Sequence, residues 1–435
     1  MTPIRNLCFA LVPLLAVLLG LADSARAGDI SLELDAGFGF SVKNDGASIE
    51  RLRVDEASGN ISRNGALFVH TTGTSNTFVG EGAGNTSTSG TGGNAAFGEN
   101  ALTSNTTGFR NSAFGESALS SNTAGFRNSA FGQNALGDNT TGDNNSAFGY
   151  EALRSNTGGN RNSAFGRRAL KYNITGGYNS AFGHDALGLN TTGSENSAFG
   201  RKALYRNDTG LYNSAFGHNA LRESTTGYDN SAFGDNALRD NSKGARNVAV
   251  GKWAGRNQTT GDDNIYLANE GTAAESGKIK IGSSVHTETF IEGIRGNVAT
   301  GGVAVLIDSS NELHTVVSSA RFKEDVQEMG ESSEVLMALR PVTFRYREDL
   351  AGESDAREYG LIAEEVAELA PDLVAFDEQG RPYTVRYHLL APMLLNEVQK
   401  QQSVIAEQRS VIAALAGRLA QVERALAPVS DGASR

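Results

Sequence analysis

Aromatic and small residues recur through the middle of the chain at a fixed interval. From Asn94 the pentapeptide Asn-Ser-Ala-Phe-Gly, or a close variant, places phenylalanine at 97, 114, 131, 148, 165, 182, 199, 216 and 233, every 17 residues. Val250 and Leu267 keep the register in degraded form, and Asn76-Thr77-Phe78-Val79-Gly80 is an earlier copy offset by one residue. A short fixed period is the signature of a solenoid. In a strand Ser and Phe share one face and the intervening Ala takes the other. Each unit therefore predicts a short strand, a tight turn, a second short strand around Ala-Leu, and an Asn-Thr-Thr-Gly turn. On this reading Phe and Leu form core ladders, small Ala lets the coils stack closely, and Gly and Asn supply the positive φ of the corners. Seventeen residues enclose too little volume for a thick core, which predicts an interior shared by three chains that also shields the sheet edges.

The flanking stretches follow other patterns. Residues 28–75 alternate apolar and polar in short runs, as in Phe38-Gly39-Phe40-Ser41-Val42, separated by turn signals such as Asn44-Asp45-Gly46; they predict a small β region that caps the repeats. Past the repeats, Asn264-Ile265-Tyr266-Leu267, Lys278-Ile279-Lys280-Ile281 and Thr289-Phe290-Ile291 predict joining strands, and 313–317 an extended segment. Ser332 and Ser333 are placed to cap a short helix over 334–339, and 362–369 predicts another that stops at Pro371. From Pro392 a long helix carries Val398, Gln401, Ile405, Gln408, Ile412, Leu415, Leu419, Val422 and Leu426 at steps of three and four. That is a coiled-coil seam with two polar layers, which fix register at some cost in stability.

Composition narrows the choices. With Gly 52 and 7% aromatic residues among 435, one large packed core is excluded. Residues 1–27 have the form of a signal peptide: Arg5, an apolar run over 7–21 too short to span a bilayer, and Ala25-Arg26-Ala27 as cleavage site. The only cysteine, Cys8, lies within it, so the mature chain has no disulfide. A net charge of −11 gives no overall basic footprint for nucleic acid. No cofactor and no metal is expected, because Asp has no fixed place in the repeat as a calcium-binding roll would need. His388 lacks a partner and reads as a packed or surface residue.

The chain changes character at Val316-Val317-Ser318-Ser319-Ala320-Arg321-Phe322-Lys323. A serine hydroxyl needs a base within hydrogen-bond reach, and a lysine serves only when burial or a nearby cation lowers its pKa. Downstream, in order, come Leu339-Arg340-Pro341-Val342-Thr343-Phe344-Arg345-Tyr346, Tyr359-Gly360-Leu361-Ile362-Ala363-Glu364-Glu365-Val366 and Val385-Arg386-Tyr387. This order, over about 318–426, resembles the intramolecular chaperone domain of phage tailspikes, tail fibres and endosialidases, a self-cleaving peptidase family. The resemblance implies Ser318 as nucleophile, Lys323 as its base, and a cut between Val317 and Ser318 once three chains have assembled. Ser319 stands where the family often carries Asp. More loosely, the repeats resemble the β-roll heads of trimeric autotransporter adhesins.

The expected protein is mainly β: a 17-residue-repeat β-roll or β-solenoid fibre, then a small α+β chaperone domain ending in a coiled coil, as an obligate trimer. Its divisions are a signal peptide (1–27), an N-terminal β region (28–75), repeats (76–270), a β junction (271–317), a self-cleaving chaperone (318–393), a coiled coil (394–426) and a disordered tail (427–435). It would be a secreted or cell-surface homotrimer, tail-fibre-like or adhesin-like, acting once as a serine endopeptidase on itself. A cell-surface or polysaccharide receptor is the outside partner, without nucleic acid or stable membrane insertion. The alternative is a secreted tailspike-like protein that binds or degrades polysaccharide, with the chaperone only assisting folding.

Overall fold

The computed structural model describes residues 30–426, apart from 36–38, 45–49, 56–57, 86–91, 293, 295–300, 309, 348–355 and 378. The signal peptide expected at 1–27 and the tail expected at 427–435 lie outside them. The chain divides into two compact units, Met1–Phe290 and Ile291–Arg435.

The first unit is a β-solenoid. Thirteen three-residue strands stack in parallel, from Thr77–Val79 and Ala95–Phe97, through Ser112–Phe114 and its successors, to Ile265–Leu267 and Ile279–Ile281. Register is like on like: Ser146 pairs with Ser163, Ala147 with Ala164, Phe148 with Phe165. The segments Ile30–Asp35, Gly39–Asn44, Glu50–Val54, Ile61–Arg63 and Ala66–His70 form an antiparallel meander whose last strand pairs with Thr77–Val79. His70 closes that end, its Nε2 at 2.7 Å from the Ala83 carbonyl.

Within one coil the inward groups are few and small. Ala147, Ala152, Leu153, Asn156 and Asn162 are all fully buried, and the same set repeats along the stack. Both asparagines form ladders. The Asn162 amide donates to Asn145 Oδ1 at 3.0 Å, its Nδ2 donates to the Gly176 carbonyl at 2.9 Å, and the Asn179 amide returns to its Oδ1 at 3.0 Å. In the other ladder Asn156 Nδ2 donates to Asn139 Oδ1 at 2.8 Å and to the Gly159 carbonyl at 2.9 Å. Buried backbone groups at the corners thus find partners where turns would otherwise leave them bare.

Three sequence expectations change here. The predicted second strand is absent among the described residues; Leu153 has φ 51, and all nine repeat leucines share this left-handed geometry. That backbone is costly for a leucine, and full burial, each worth roughly 2 kcal/mol, offsets it. The phenylalanine ladder lies outside the core. With Ala147 inward, alternation turns Ser146 and Phe148 outward, where both stay half-exposed. Phe97 to Phe233 stack in one column, centroids 4.7–5.1 Å apart and rings within 9° of parallel. Finally, one chain fills its own interior, because alanines, leucines and paired asparagines suffice for so narrow a coil; an interior shared by three chains is not needed to close it. Glycine and asparagine do supply positive φ at the corners, as at Gly149, Asn134 and Asn144, but arginine and leucine share that geometry, as at Arg161 and Leu170, while the two ladder asparagines of each coil are buried.

The solenoid ends in a shorter coil, Ile265 pairing with Ile279. Tyr266 takes the inward alanine's place and is fully buried. Glu275 lies beside it, Lys280 Nζ at 2.5 Å and Thr272 Oγ1 at 2.7 Å from Oε2. Burial raises the Glu275 pKa, but these hydrogen bonds outweigh it and hold the carboxyl at about 2.

The second unit is α+β. Val366, Leu373, Val374 and Val385 are its buried centre, with Leu336, Leu361, Leu390 and Met393 packed around them. Two hairpins, Val342–Phe344 with Glu358–Gly360 and Val374–Phe376 with Pro382–Val385, flank the Ala363–Leu369 helix. The helix predicted over 334–339 is instead a 3-10 helix, Gly330–Ala338, and Ser333 does not cap it. Fully buried, Ser333 donates to Glu397 Oε1 at 2.5 Å and accepts from Asn396 Nδ2 at 2.6 Å, pinning the long helix. That helix, Tyr387–Leu426, begins before Pro392 and carries it in its second turn. Its seam is open: Val398, Ile405, Ile412, Leu415, Leu419 and Val422 are each 41–64% exposed. Among the described residues no helix is long and apolar enough to cross a membrane.

Candidate functional site

The segment around Ser318 hangs from a small hairpin. Val305–Ile307 pairs antiparallel with Leu313–Thr315, Leu306 opposite His314. The turn is built by Asp308, whose Oδ1 accepts the amides of Ser310 and Glu312, each at 2.9 Å, while Asn311 takes the left-handed conformation, φ 60. An aspartate at the head of a turn commonly bonds the amide two residues on. The Glu312 amide, with further help from Ser310 and His314, holds the Asp308 carboxyl below its usual range. Its other oxygen meets His314 Nε2 at 3.1 Å.

After Thr315 the chain leaves the sheet. Val316 and Val317 are 53% and 54% exposed, and Ser318 and Ser319 are exposed as well. Ser319 is extended, φ −65 and ψ 136, and is followed by a single 3-10 turn, Ala320–Phe322. The turn is closed by the Phe322 amide on the Ser319 carbonyl and the Lys323 amide on the Ala320 carbonyl, each at 3.1 Å. Arg321 lies over the Phe322 ring at 4.6 Å. Lys323 is again extended and exposed.

Ser318 and Lys323 thus stand on either side of one short turn, both in solvent. Among the described residues no hydrogen bond joins them, and Lys323 has no carboxylate partner. The single chain supplies an accessible peptide with a serine and a lysine in sequence proximity. It does not supply the burial that would make the lysine a base. Asp308, Glu312 and His314, all exposed, bring ligand atoms within 4.8 Å of one another, the only such group among the described residues. The pairing of Asp308 with His314 depends on hairpin register, which no local sequence signal reports.

Residues 318–375 match the family described as chaperone of endosialidase, and the match begins on Ser318. The C-terminal stretch therefore carries an intramolecular chaperone domain of that kind. No curated protein and no solved structure matches the chain.

Proposed function

We propose that this chain is an exported homotrimeric fibre protein whose C-terminal domain aligns three copies and then severs itself before Ser318. A β-solenoid followed by a chaperone-of-endosialidase domain fits a tailspike-like or fibre-like protein. The observation that carries the finer proposal is the coincidence at residue 318. The family match starts there, and there too the chain runs exposed and outside any helix or strand between a hairpin and a folded domain. A peptide bond in such a segment is open to attack.

Self-association is supported by the open seam of Tyr387–Leu426 and by the half-exposed phenylalanine column. Both are apolar surfaces that a single chain leaves in water. Like-on-like stacking makes the register of identical coils weakly specified, so a domain that sets the chains in step has work to do. In the assembled state Lys323, desolvated by neighbouring chains, would accept the Ser318 proton as Oγ attacks the Val317 carbonyl. That attack forms an ester on Ser318 Oγ as the Val317–Ser318 amide breaks, the amine taking its proton back from Lys323. Water then hydrolyses the ester and frees the chaperone, without which the fibre has no route back to separate chains.

Denaturing gels of wild type beside Ser318→Ala and Lys323→Ala provide the test. A shortened band in wild type alone supports self-cleavage, and full-length bands in all three refute it. An intact mass of the product would locate the cut.

A further inference from the structure

Asp308, Glu312 and His314 lie downstream of the repeats, whose sequence argues against bound metal, and the hairpin before Ser318 gathers them at one spot. Glu312 and His314 are two residues apart on the returning arm, so they turn to the same side. Asp308 stands opposite Glu312, its amide donating to the Glu312 carbonyl at 3.1 Å. Two carboxylates facing each other across a hairpin repel. An imidazole lies beside both, with His314 Nε2 at 3.1 Å from Asp308 Oδ2 and 3.8 Å from Glu312 Oε2.

The two oxygens of Asp308 have separate tasks. Oδ1 accepts the amides of Ser310 and Glu312, each at 2.9 Å, which fixes the carboxylate and leaves Oδ2 facing the histidine. Metal-ligating carboxylates are commonly held by outer hydrogen bonds of this kind. One ligand atom from each residue lies within 4.8 Å of the other two. A small inward movement of exposed side chains would set all three around one ion at about 2.0–2.2 Å.

We propose that this trio binds one divalent transition-metal ion of the zinc class per chain, through Asp308 Oδ2, Glu312 Oε2 and His314 Nε2. Two carboxylate oxygens and an imidazole nitrogen suit zinc, and by the same chemistry manganese or nickel. Calcium and magnesium prefer oxygen alone, so the histidine turns the site away from them. All three residues are exposed, and water completes the coordination. The site needs neither assembly nor cleavage and so goes beyond the fibre reading. If the chain is cut before Ser318, the ligands stay on the upstream fragment close to its new end at Val317, and a bound ion ties the turn to the last strand there.

The test is equilibrium dialysis of the untagged full-length protein against zinc chloride, with excess calcium chloride as competitor. Zinc should bind at micromolar concentration, one ion per chain, and calcium should not displace it. Asp308→Asn keeps a side-chain oxygen for the two turn amides, and hence the hairpin, while giving up the carboxylate. That variant and His314→Ala should each weaken binding about tenfold or more. His388→Ala, an exposed histidine outside the trio, should leave it unchanged. Zinc taken up only at millimolar concentration, retained by Asp308→Asn and His314→Ala, or lost in His388→Ala would overturn the proposal. Sedimentation of the same samples reports on the fibre reading separately. Zinc held by an unassociated, uncut chain keeps the site and removes the trimer, whereas a cleaved trimer that ignores zinc does the reverse.

Discussion

Oδ1 of Asn207 and Oγ of Ser224 lie on adjacent coils, both buried and both without a hydrogen-bond partner. Ser224 occupies the place that asparagine fills on the coils before and after it: Asn207 Nδ2 bonds Asn190 Oδ1 below and the Gly210 carbonyl three residues on, whereas Asn241 Nδ2, above the serine, bonds the Gly244 carbonyl. Serine is too short for both tasks. Ser224→Asn should therefore stabilise the solenoid by about 1 kcal/mol, the net worth of a restored buried hydrogen bond. A denaturant midpoint that falls instead would mean that the cavity around 224 has closed over the gap.

The converse change should cost more. Asn162→Leu leaves the Asn179 amide without its partner in a dry interior, while the Gly176 carbonyl keeps only Asn173 Nδ2 at 2.9 Å. An orphaned buried amide costs about 1–3 kcal/mol, so a loss of about 2 kcal/mol is expected, read as a lower unfolding midpoint. Loss of less than 1 kcal/mol would indicate that the ladder is incidental to stability.

Close coil contact fixes the strand-end glycines. Gly149 has φ 141, and a Cβ there would sit 2.6 Å from the Gly166 carbonyl oxygen, which is backbone and cannot swing aside. Gly149→Ala should cost about 3 kcal/mol or more and open the solenoid to protease near that coil. Unchanged protection would show that adjoining coils can part to admit a methyl group.

Some of this was legible in the sequence and some was not. The period of 17 and the Ser-Ala-Phe strand are local, so the solenoid follows from them. Which face of that strand turns inward is not local: Phe148 and Ala147 alternate under either choice. The deciding fact is the width of the coil, which depends on Leu153 adopting a left-handed backbone. The same applies to Asn162, whose residue type suggests a corner but whose stacking makes it core. At the candidate site, Ser318 and Lys323 are five positions apart on any reading, and the structure adds their exposure.

Acid should loosen the C-terminal end of the solenoid. Glu275 has a folded pKa of about 2 against an ordinary 4.5. A depressed carboxyl contributes stability fully present above pH 4.5 and lost as pH falls towards 2. Hydrogen exchange at the Ile265–Leu267 strand should therefore quicken between those values in wild type. Glu275→Gln should be less stable at neutral pH and show a flatter acid response there. An identical acid profile in the variant would move the sensitivity to other carboxylates.

Association and cleavage should be separable by mutation. Ile405 and Ile412 lie one heptad apart on the Tyr387–Leu426 seam, both exposed in the single chain. Aspartate at either position would place like charges face to face between chains, where water is scarce and repulsion strong. Ile405→Asp/Ile412→Asp should therefore sediment as a monomer. Because Lys323 would then stay in solvent, it should also remain uncut, although the mutated seam lies far along the sequence from Ser318. Ser318→Ala should instead assemble and remain full length. Circular dichroism at neutral pH should retain the β signal of the solenoid in both variants, since its core is closed within one chain. If the double variant is a monomer and is nevertheless cut at residue 318, cleavage does not wait for assembly.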